Sequence, residues 1–149
     1  MAPVTPSERL QLLANGNQPT LIAKMASGFA VMGDSQFFLG YSLLLAYPVV
    51  EQLVALPRSG QLQFLGDMAS LGEAVKRATG CQRVNFSIYG NLDPFLHAHV
   101  WPRYEHEDPA IRTSPPFNAP EGLRHDPGVA FRLDRHRELR DRIAAELGR

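Results

Sequence analysis

Two histidines lie two residues apart within an apolar and aromatic run, NLDPFLHAHVWPRY, at residues 91–104. Successive side chains of a β-strand point to opposite faces of the sheet. If this run is a strand, one face carries two imidazoles between two aromatic rings: Phe95, His97, His99 and Trp101. The other face carries only apolar side chains: Leu96, Ala98 and Val100. The second face is typical of a protein core, and the first is typical of the floor of a pocket.

The simplest interpretation of a histidine is a half-buried ring that donates a hydrogen bond to a nearby carbonyl. We assign that role to His106, His125 and His136, which lie apart from one another in the sequence. A pair on one strand face, flanked by aromatic residues, favours a functional role for His97 and His99.

Two kinds of chemistry suit such a pair. A His-x-His pair can share a metal ion, but a site needs further ligands, and Asp93 and His106 are the near candidates without a persuasive spacing; we expect no metal and no cofactor. The alternative is nucleophilic catalysis. A neutral imidazole, with an ordinary pKa of about 6.5, can attack phosphorus at neutral pH, and a second imidazole can bind the phosphate or assist the leaving group.

Four segments around the pair have the pattern of β-strands. GFAVMGD at 28–34 and YSLLLAYPVV at 41–50 are apolar runs, and RVNFSIYG at 83–90 alternates between apolar and polar residues. The run at 96–104 carries the histidines. We expect these strands to form an antiparallel meander.

Three segments predict helices, so the expected fold class is α+β. Thr5-Pro6-Ser7-Glu8 has the residues of a capped helix start. Apolar residues recur at helical spacing from Leu62 to about Thr79 and again from Phe131. Residues 105–130 are rich in proline and lack a period, which predicts a long surface loop.

Length and composition limit the remaining possibilities. A chain of 149 residues forms one domain, 1–149, with a core at about 20–104 and a proline-rich loop and C-terminal helix at 105–149. Fifteen basic and fifteen acidic residues give no charge excess for binding nucleic acid. The single cysteine, Cys81, forms no internal disulfide, and the apolar segments are too short to span a bilayer. We expect a cytoplasmic protein with no membrane partner.

The segment FLHAHVW at 95–101 resembles the signature strand of the histidine triad (HIT) superfamily, which reads His, apolar, His, apolar, His, apolar, apolar. Upstream, residues 29–56 resemble the strand, turn and second strand of that family, followed by the segment that leads into its long helix. The resemblance covers about residues 28–104. It implies a HIT-like fold, with one long helix packed on an antiparallel sheet and further helices at both ends of the chain.

The resemblance implies a nucleotide hydrolase or nucleotidyl transferase that acts on a dinucleoside polyphosphate or a nucleoside phosphoramidate. His97 matches the family's nucleophile, which forms a covalent nucleotidyl-histidine, and His99 matches the histidine that contacts the phosphate and the leaving group. A nucleotide-binding protein with little or no turnover is the alternative. Family members pair through the long helix and an edge strand, and apolar residues on more than one face of helix 62–79 fit a homodimer.

The same resemblance assigns substrate-binding positions. Asn91 matches a polar residue near the phosphates, and Gly33 and Asp34 match the position where the ribose is held. Phe95 replaces the first histidine of the triad, whose backbone carbonyl orients the middle ring in the family. Tyr41 lies where the nucleotide hydrolase branch often has a histidine that meets that first ring, so Tyr41 and Phe95 are expected to form an aromatic pair. Trp101 closes the other side of the pocket.

Overall fold

One antiparallel sheet of five strands organises the computed structural model, which describes residues 6–16 and 18–149. In spatial order the strands run β1-β2-β3-β5-β4, and every neighbouring pair is antiparallel. Their bounds are β1 Leu21–Met25, β2 Gly28–Met32, β3 Ser42–Ala46, β4 Arg83–Ile88 and β5 His97–Arg103.

The four predicted strands are confirmed with shorter bounds, and β1 was missed. β3 stops at Ala46, before Tyr47-Pro48, since proline has no N–H to donate to a strand ladder. β1 contains five residues, includes a charged lysine and forms the edge of the sheet beside β2. So short an edge strand, irregular between Leu21 and Ala23, lacks the alternation that would identify it in the sequence.

The strand register separates the two faces of β5 as the alternation predicts. On one face His97 lies opposite Leu45 of β3, and His99 lies opposite Leu43 of β3 and Ser87 of β4. On the other face Ala98 and Val100 are fully buried in the main hydrophobic core. The histidines therefore lie on the face of the sheet opposite the core that stabilises it.

The main core lies between the second face of the sheet and two helices, α2 (Arg58–Thr79) and α5 (Leu133–Leu147). A shorter helix, α1 (Pro6–Ala14), packs on the first face through Leu10 and Leu13. These elements confirm the α+β class. The capping role predicted for Thr5 falls outside the described residues. No helix in residues 6–16 or 18–149 is long and apolar enough to cross a membrane.

Helix α2 begins at Arg58, four residues before the predicted start at Leu62. Its first turn, RSGQ, is polar or small, so apolar periodicity carries no information about it. The helix ends as expected at Gly80, whose φ of 68° is the left-handed conformation that favours glycine.

The apolar surface of α2 is shared between the sheet and α5. Phe64, Leu71 and Val75 of α2 are fully buried, and Leu139 and Ile143 of α5 belong to the same core cluster. Of the apolar residues beside this stripe, from which we expected a homodimer, Leu62 and Ala69 are exposed and Leu65 is partly buried. The homodimer stays a prediction.

The predicted loop at 105–130 contains short helical turns: α3 (Pro109–Arg112), α4 (Glu121–Arg124) and two 3₁₀ turns at Pro116–Asn118 and Pro127–Val129. Two of them start with an Asp-Pro pair. Asp108 accepts a hydrogen bond from the backbone N–H of Ala110, and Asp126 accepts one from Gly128. An aspartate cap followed by proline at the first helical position is a recognisable start signal.

Arg103, the last residue of β5, ties this segment to the sheet. Its guanidinium pairs with Glu107 at 2.8 Å, and both side chains are buried. The same group donates to Oδ1 of Asn85 and to the backbone oxygens of Ile111 and Ser114. A buried guanidinium needs this many acceptors, so the interaction fixes the course of residues 107–114 over the first face.

A buried carboxylate on α2 holds the β1–β2 turn, which generates a test of the fold. Asp67 is 8% exposed, and one of its oxygens accepts from the backbone N–H and the hydroxyl of Ser27 at 2.9 and 2.6 Å. Asp67→Ala should lower the free energy of unfolding by about 1–3 kcal/mol, since the two donors of Ser27 and Nε2 of Gln63 lose their acceptor. Urea denaturation measures this change in the free energy of unfolding. Ser70→Ala, at an exposed position of the same helix, should change stability by less than about 0.5 kcal/mol. Equal effects of the two substitutions would contradict this role.

Candidate active site

A cavity of about 480 Å³ lies over the first face of the sheet. Strands β2, β3 and β5 form its floor, and the segment that follows β5 forms a wall. Its polar and charged lining residues are Arg9, Asp34, Ser35, Tyr41, Asp93, His97, His99, Arg124, His125 and Asp126. Its larger aromatic and aliphatic lining residues are Leu43, Leu45, Phe95, Trp101 and Phe117. Both histidines of the predicted pair therefore reach one cavity.

His97 is held by the backbone carbonyl of Phe95, two residues before it. Nδ1 of His97 lies 2.7 Å from that carbonyl oxygen, and the rings of Phe95 and His97 stack with centroids 4.6 Å apart. A carbonyl oxygen only accepts, so Nδ1 carries the hydrogen. In the neutral ring, Nε2 then has the free lone pair. The main chain thus orients the ring, as the resemblance implies, although a phenylalanine occupies position 95.

His99 is enclosed by aromatic side chains. Its Nδ1 lies 2.6 Å from the Tyr41 hydroxyl, its ring stacks on Trp101 with centroids 5.4 Å apart, and Phe117 meets it edge-on at 5.2 Å. Burial, and secondarily the charge of His97, lower the pKa of His99 from 6.5 to about 4. His99 is consequently neutral at neutral pH.

Tyr41 pairs with different rings from the one expected. Its ring stacks on Trp101 at 3.9 Å, and its hydroxyl meets His99, whereas Phe95 stacks on His97. The predicted Tyr41–Phe95 pair is therefore wrong. The strand register explains the difference: Ser42 lies opposite Val100, so the preceding Tyr41 lies beside Trp101 and His99, away from Phe95. Burial raises the pKa of the Tyr41 hydroxyl, which stays protonated.

Gly33 makes room for the Tyr41 ring and is absent from the cavity lining. A Cβ atom at position 33 would lie 2.2 Å from that ring, so a larger residue would displace it. The buried amide of Gln36 holds the same loop by donating to the backbone oxygens of Gly33 and Tyr41 at 2.9 and 3.0 Å. Gly33 thus acts through Tyr41 in this structure.

The other predicted positions divide between the cavity and the surface. Asp34 lies at the cavity rim, where its side chain is 79% exposed and 3.9 Å from Arg9. Asn91 is exposed and does not line the cavity, whereas Asp93 from the same turn does. Trp101 lines the cavity and donates from Nε1 to the Ser87 hydroxyl at 3.0 Å.

The wall formed by Phe117, Arg124, His125 and Asp126 was not predicted from the sequence. Long-range contacts place this wall. Ser35 forms a β-bridge with Ala130, and its hydroxyl donates to the backbone oxygen of Arg124 at 2.5 Å. No local pattern predicts such contacts, because the segment has no period and its partner loop lies about 90 residues earlier.

The remaining histidines have separate roles. His125, to which we assigned no role, lines the cavity. His136 is buried, and its Nδ1 accepts from the backbone N–H of Arg132 at the start of α5, an ordinary structural role. His106 is exposed and stacks on Tyr104 at 5.0 Å. Across residues 6–16 and 18–149, no three His, Cys, Asp or Glu side chains lie close enough together to hold a metal ion.

Known structures share this architecture. The chain is similar to a histidine triad protein from Sinorhizobium meliloti 1021, with 19% identity, a TM-score of 0.71, and 85% of this chain and 87% of that chain covered. It is also similar to a histidine triad protein from Bradyrhizobium japonicum, with 17% identity, a TM-score of 0.72, and 85% of this chain and 89% of that chain covered. A third similar structure is a hypothetical histidine triad nucleotide-binding protein from Sulfolobus tokodaii strain 7, with 13% identity, a TM-score of 0.70, and 93% of this chain and 90% of that chain covered.

No family model and no curated protein matches the chain. The similar structures have identities below 20%, so the likeness is one of fold. The chain has the fold of the histidine triad proteins, which confirms the fold expected from the FLHAHVW segment.

The lowered pKa of His99 gives a prediction of stability against pH. Between about pH 4 and 6.5 the unfolded chain binds a proton on His99 and the folded chain does not, so stability falls as pH drops through this range. His99→Gln should lose less stability over the same range. Urea denaturation at several pH values measures both slopes. His136, whose pKa is also lowered by burial, contributes equally to the two proteins. Identical pH dependence of wild type and variant would contradict the prediction.

Proposed function

We propose that this protein is a nucleotide hydrolase or nucleotidyl transferase that forms a covalent nucleotidyl group on Nε2 of His97. The observation that carries the proposal is the 2.7 Å hydrogen bond from Nδ1 of His97 to the Phe95 carbonyl. This bond leaves the Nε2 lone pair free on a ring that lines the cavity. An imidazole fixed in this tautomer is a nucleophile that needs no separate base at neutral pH.

The reaction has two displacements at phosphorus. Nε2 of His97 attacks the α-phosphorus of a nucleoside monophosphoryl compound, the bond from phosphorus to the leaving group breaks, and the leaving group departs with the bonding electron pair. Water then attacks the nucleotidyl-histidine, the P–N bond breaks and its electron pair returns to Nε2, one proton of the water passes to solvent, and nucleoside monophosphate is released. An acceptor other than water would make the protein a transferase. His99, which contacts His97 ring to ring at 5.1 Å, lies where it can donate to a phosphoryl oxygen or to the leaving group.

Charged residues around the cavity support a phosphorylated ligand with hydroxyl groups. The Arg124 guanidinium lies over the Phe117 ring at 5.5 Å, and its Nε donates to the Ala119 carbonyl at 3.0 Å. Its terminal nitrogens are suited to phosphoryl oxygens. Asp34 at the rim offers a carboxylate to ribose hydroxyls, and one of the similar structures is described as nucleotide-binding.

The proposed substrate is a dinucleoside polyphosphate or a nucleoside phosphoramidate, and the proposed assembly is a homodimer. The exposed edge of the sheet supports the dimer. β4 ends the strand order, and Phe86 on β4 and Leu62 on α2 are 42% and 62% exposed.

Removal of the nucleophile tests the proposal. His97→Ala should reduce nucleotide release from diadenosine polyphosphates and adenosine phosphoramidate by at least about 10³-fold, because the substitution removes the proposed nucleophile. Mass spectrometry of the acid-quenched wild type should show one added nucleoside monophosphate, absent from the variant. His106→Ala, which changes an exposed histidine outside the cavity, is the control. Full activity of His97→Ala would overturn the mechanism. Nucleotide binding by wild type without any release would establish the alternative, a nucleotide-binding protein with little or no turnover.

The role of the backbone at position 95 gives a second prediction. Phe95→Leu keeps the carbonyl that orients His97 and should retain activity within about tenfold, while imperfect packing costs about 1–2 kcal/mol of stability. Initial rates and urea denaturation on one preparation measure both quantities. A loss of activity as large as that of His97→Ala, in a protein that remains folded, would show that the aromatic ring itself is required.

A further inference from the structure

The least expected contact in the site joins Tyr41 to His99. The hydroxyl oxygen of Tyr41 lies 2.6 Å from Nδ1 of His99, and both side chains are buried. In the described part of the chain, this nitrogen is the hydrogen-bond partner found for the hydroxyl. The contact joins a group with one hydrogen to a ring nitrogen that either donates or accepts.

The direction of the bond follows from which hydrogens find acceptors. If Nδ1 of His99 donated, the Tyr41 hydroxyl hydrogen would need another acceptor, and none is found among residues 6–16 and 18–149. If the hydroxyl donates, its hydrogen and the Nδ1 lone pair are both satisfied. Leaving a buried donor without an acceptor is costly, so the second arrangement is favoured.

A donating tyrosine determines the tautomer of His99. With Nδ1 accepting, a neutral ring carries its hydrogen on Nε2, the nitrogen that remains for a ligand in the cavity. His97 has the opposite arrangement, because its Nδ1 donates to the Phe95 carbonyl and its Nε2 carries the lone pair. The two Nε2 atoms thus have complementary roles, one as nucleophile and one as hydrogen-bond donor.

We propose that Tyr41 is a positioning residue: its hydroxyl donates to Nδ1 of His99 and so makes His99 a neutral Nε2–H donor to the substrate's phosphoryl oxygen or leaving group. The second half of this proposal rests on the proposed function, whereas the tautomer of His99 does not. A neutral donor suits this site because His97 must also stay neutral to attack phosphorus, and a charged imidazolium 5.1 Å away would oppose the charge that develops on His97.

The structure around Tyr41 is specific to this role. Gly33 leaves space for the ring, Trp101 stacks on it at 3.9 Å, and Gln36 holds the backbone oxygen of Tyr41 itself. The hydroxyl is therefore aimed by three contacts, of which those with Gly33 and Gln36 involve residues outside the cavity lining. The groups that surround His99 are His97 on its own strand and the rings of Tyr41, Trp101, Tyr89 and Phe117. Asp34 and Arg124 act electrostatically on the Tyr41 hydroxyl.

The tautomer is tested by nitrogen NMR of the ligand-free protein at neutral pH. Long-range ¹H–¹⁵N spectra of wild type, with His99 assigned by comparison with His99→Gln, should show an unprotonated Nδ1 and a protonated Nε2. In Tyr41→Phe, which keeps the stacked ring, the Nδ1 signal of His99 should shift because its hydrogen-bond donor is gone, and the signals of His97 should stay. A protonated Nδ1 in wild type, or unchanged His99 signals in Tyr41→Phe, would overturn the proposal.

Measurement of turnover tests the second half of the proposal, that His99 acts as a donor to the substrate. Tyr41→Phe should lower kcat about three- to tenfold with little change in KM, since the substrate still binds but the donor is less well fixed. Tyr47→Phe is the matched control, because Tyr47 packs on Phe29 outside the cavity lining and should keep wild-type kcat. Wild-type kcat in Tyr41→Phe, together with the expected spectra, would limit the role of Tyr41 to setting the tautomer of His99 and would overturn its role in turnover. Absence of turnover in every variant and in wild type would refute the proposed function while the spectra still decide the tautomer.

Discussion

The need to satisfy two buried imidazoles on one strand face constrains the rest of this structure. β5 pairs with β3 and with β4, and its second face is buried in the main core. Because side chains alternate along the strand, its first face carries His97 and His99. A ring nitrogen that loses water requires a partner, and each Nδ1 obtains one from a different source. The main chain supplies the partner of His97, and a tyrosine on the neighbouring loop supplies that of His99. The partner of His97 accepts a hydrogen bond and the partner of His99 donates one. The two rings therefore carry their hydrogen on different nitrogens and have different chemical roles.

The covering segment follows from the same constraint. A sheet face with aromatic rings and no helix over its centre would expose a large apolar surface. Residues 105–131 cover it, and they are attached at two points. Arg103 holds the near end through Glu107 and backbone oxygens, and the Ser35–Ala130 bridge holds the far end. Phe117 lies between these points and packs on His99 and Trp101. The segment is therefore fixed over the histidines and lowers their exposure to water.

How far the sequence predicts this structure depends on the range of the interaction. The alternation along β5, the long helix and its glycine end are local patterns, and they identified both histidines, the core face and the fold. The strand β1 was missed because five residues at a sheet edge carry too little periodic signal. The wall with Arg124 and His125 was missed because its position depends on contacts with residues 34–36, far away in the chain. Asn91, which the resemblance places near the phosphates, lies outside the cavity lining, whereas Asp93 from the same turn lines it; the role of Asn91 stays a prediction.

Phe95 stands where the resembling motif has a histidine, and the orientation of His97 does not depend on that side chain. Orientation of His97 depends on a backbone oxygen, and every residue type supplies one. The side chain at 95 is free to become apolar, where it stacks on His97 and joins the cluster formed by α1 and the sheet. The same freedom does not extend to position 41, where a side-chain hydroxyl makes the contact and depends on the absence of a Cβ atom at Gly33. Positions that act through the main chain tolerate exchange of their side chains, whereas positions that act through a side chain require a matched set of neighbours. Tyr41, Gly33 and Trp101 form such a set, and a change in one of them without the others would disturb His99.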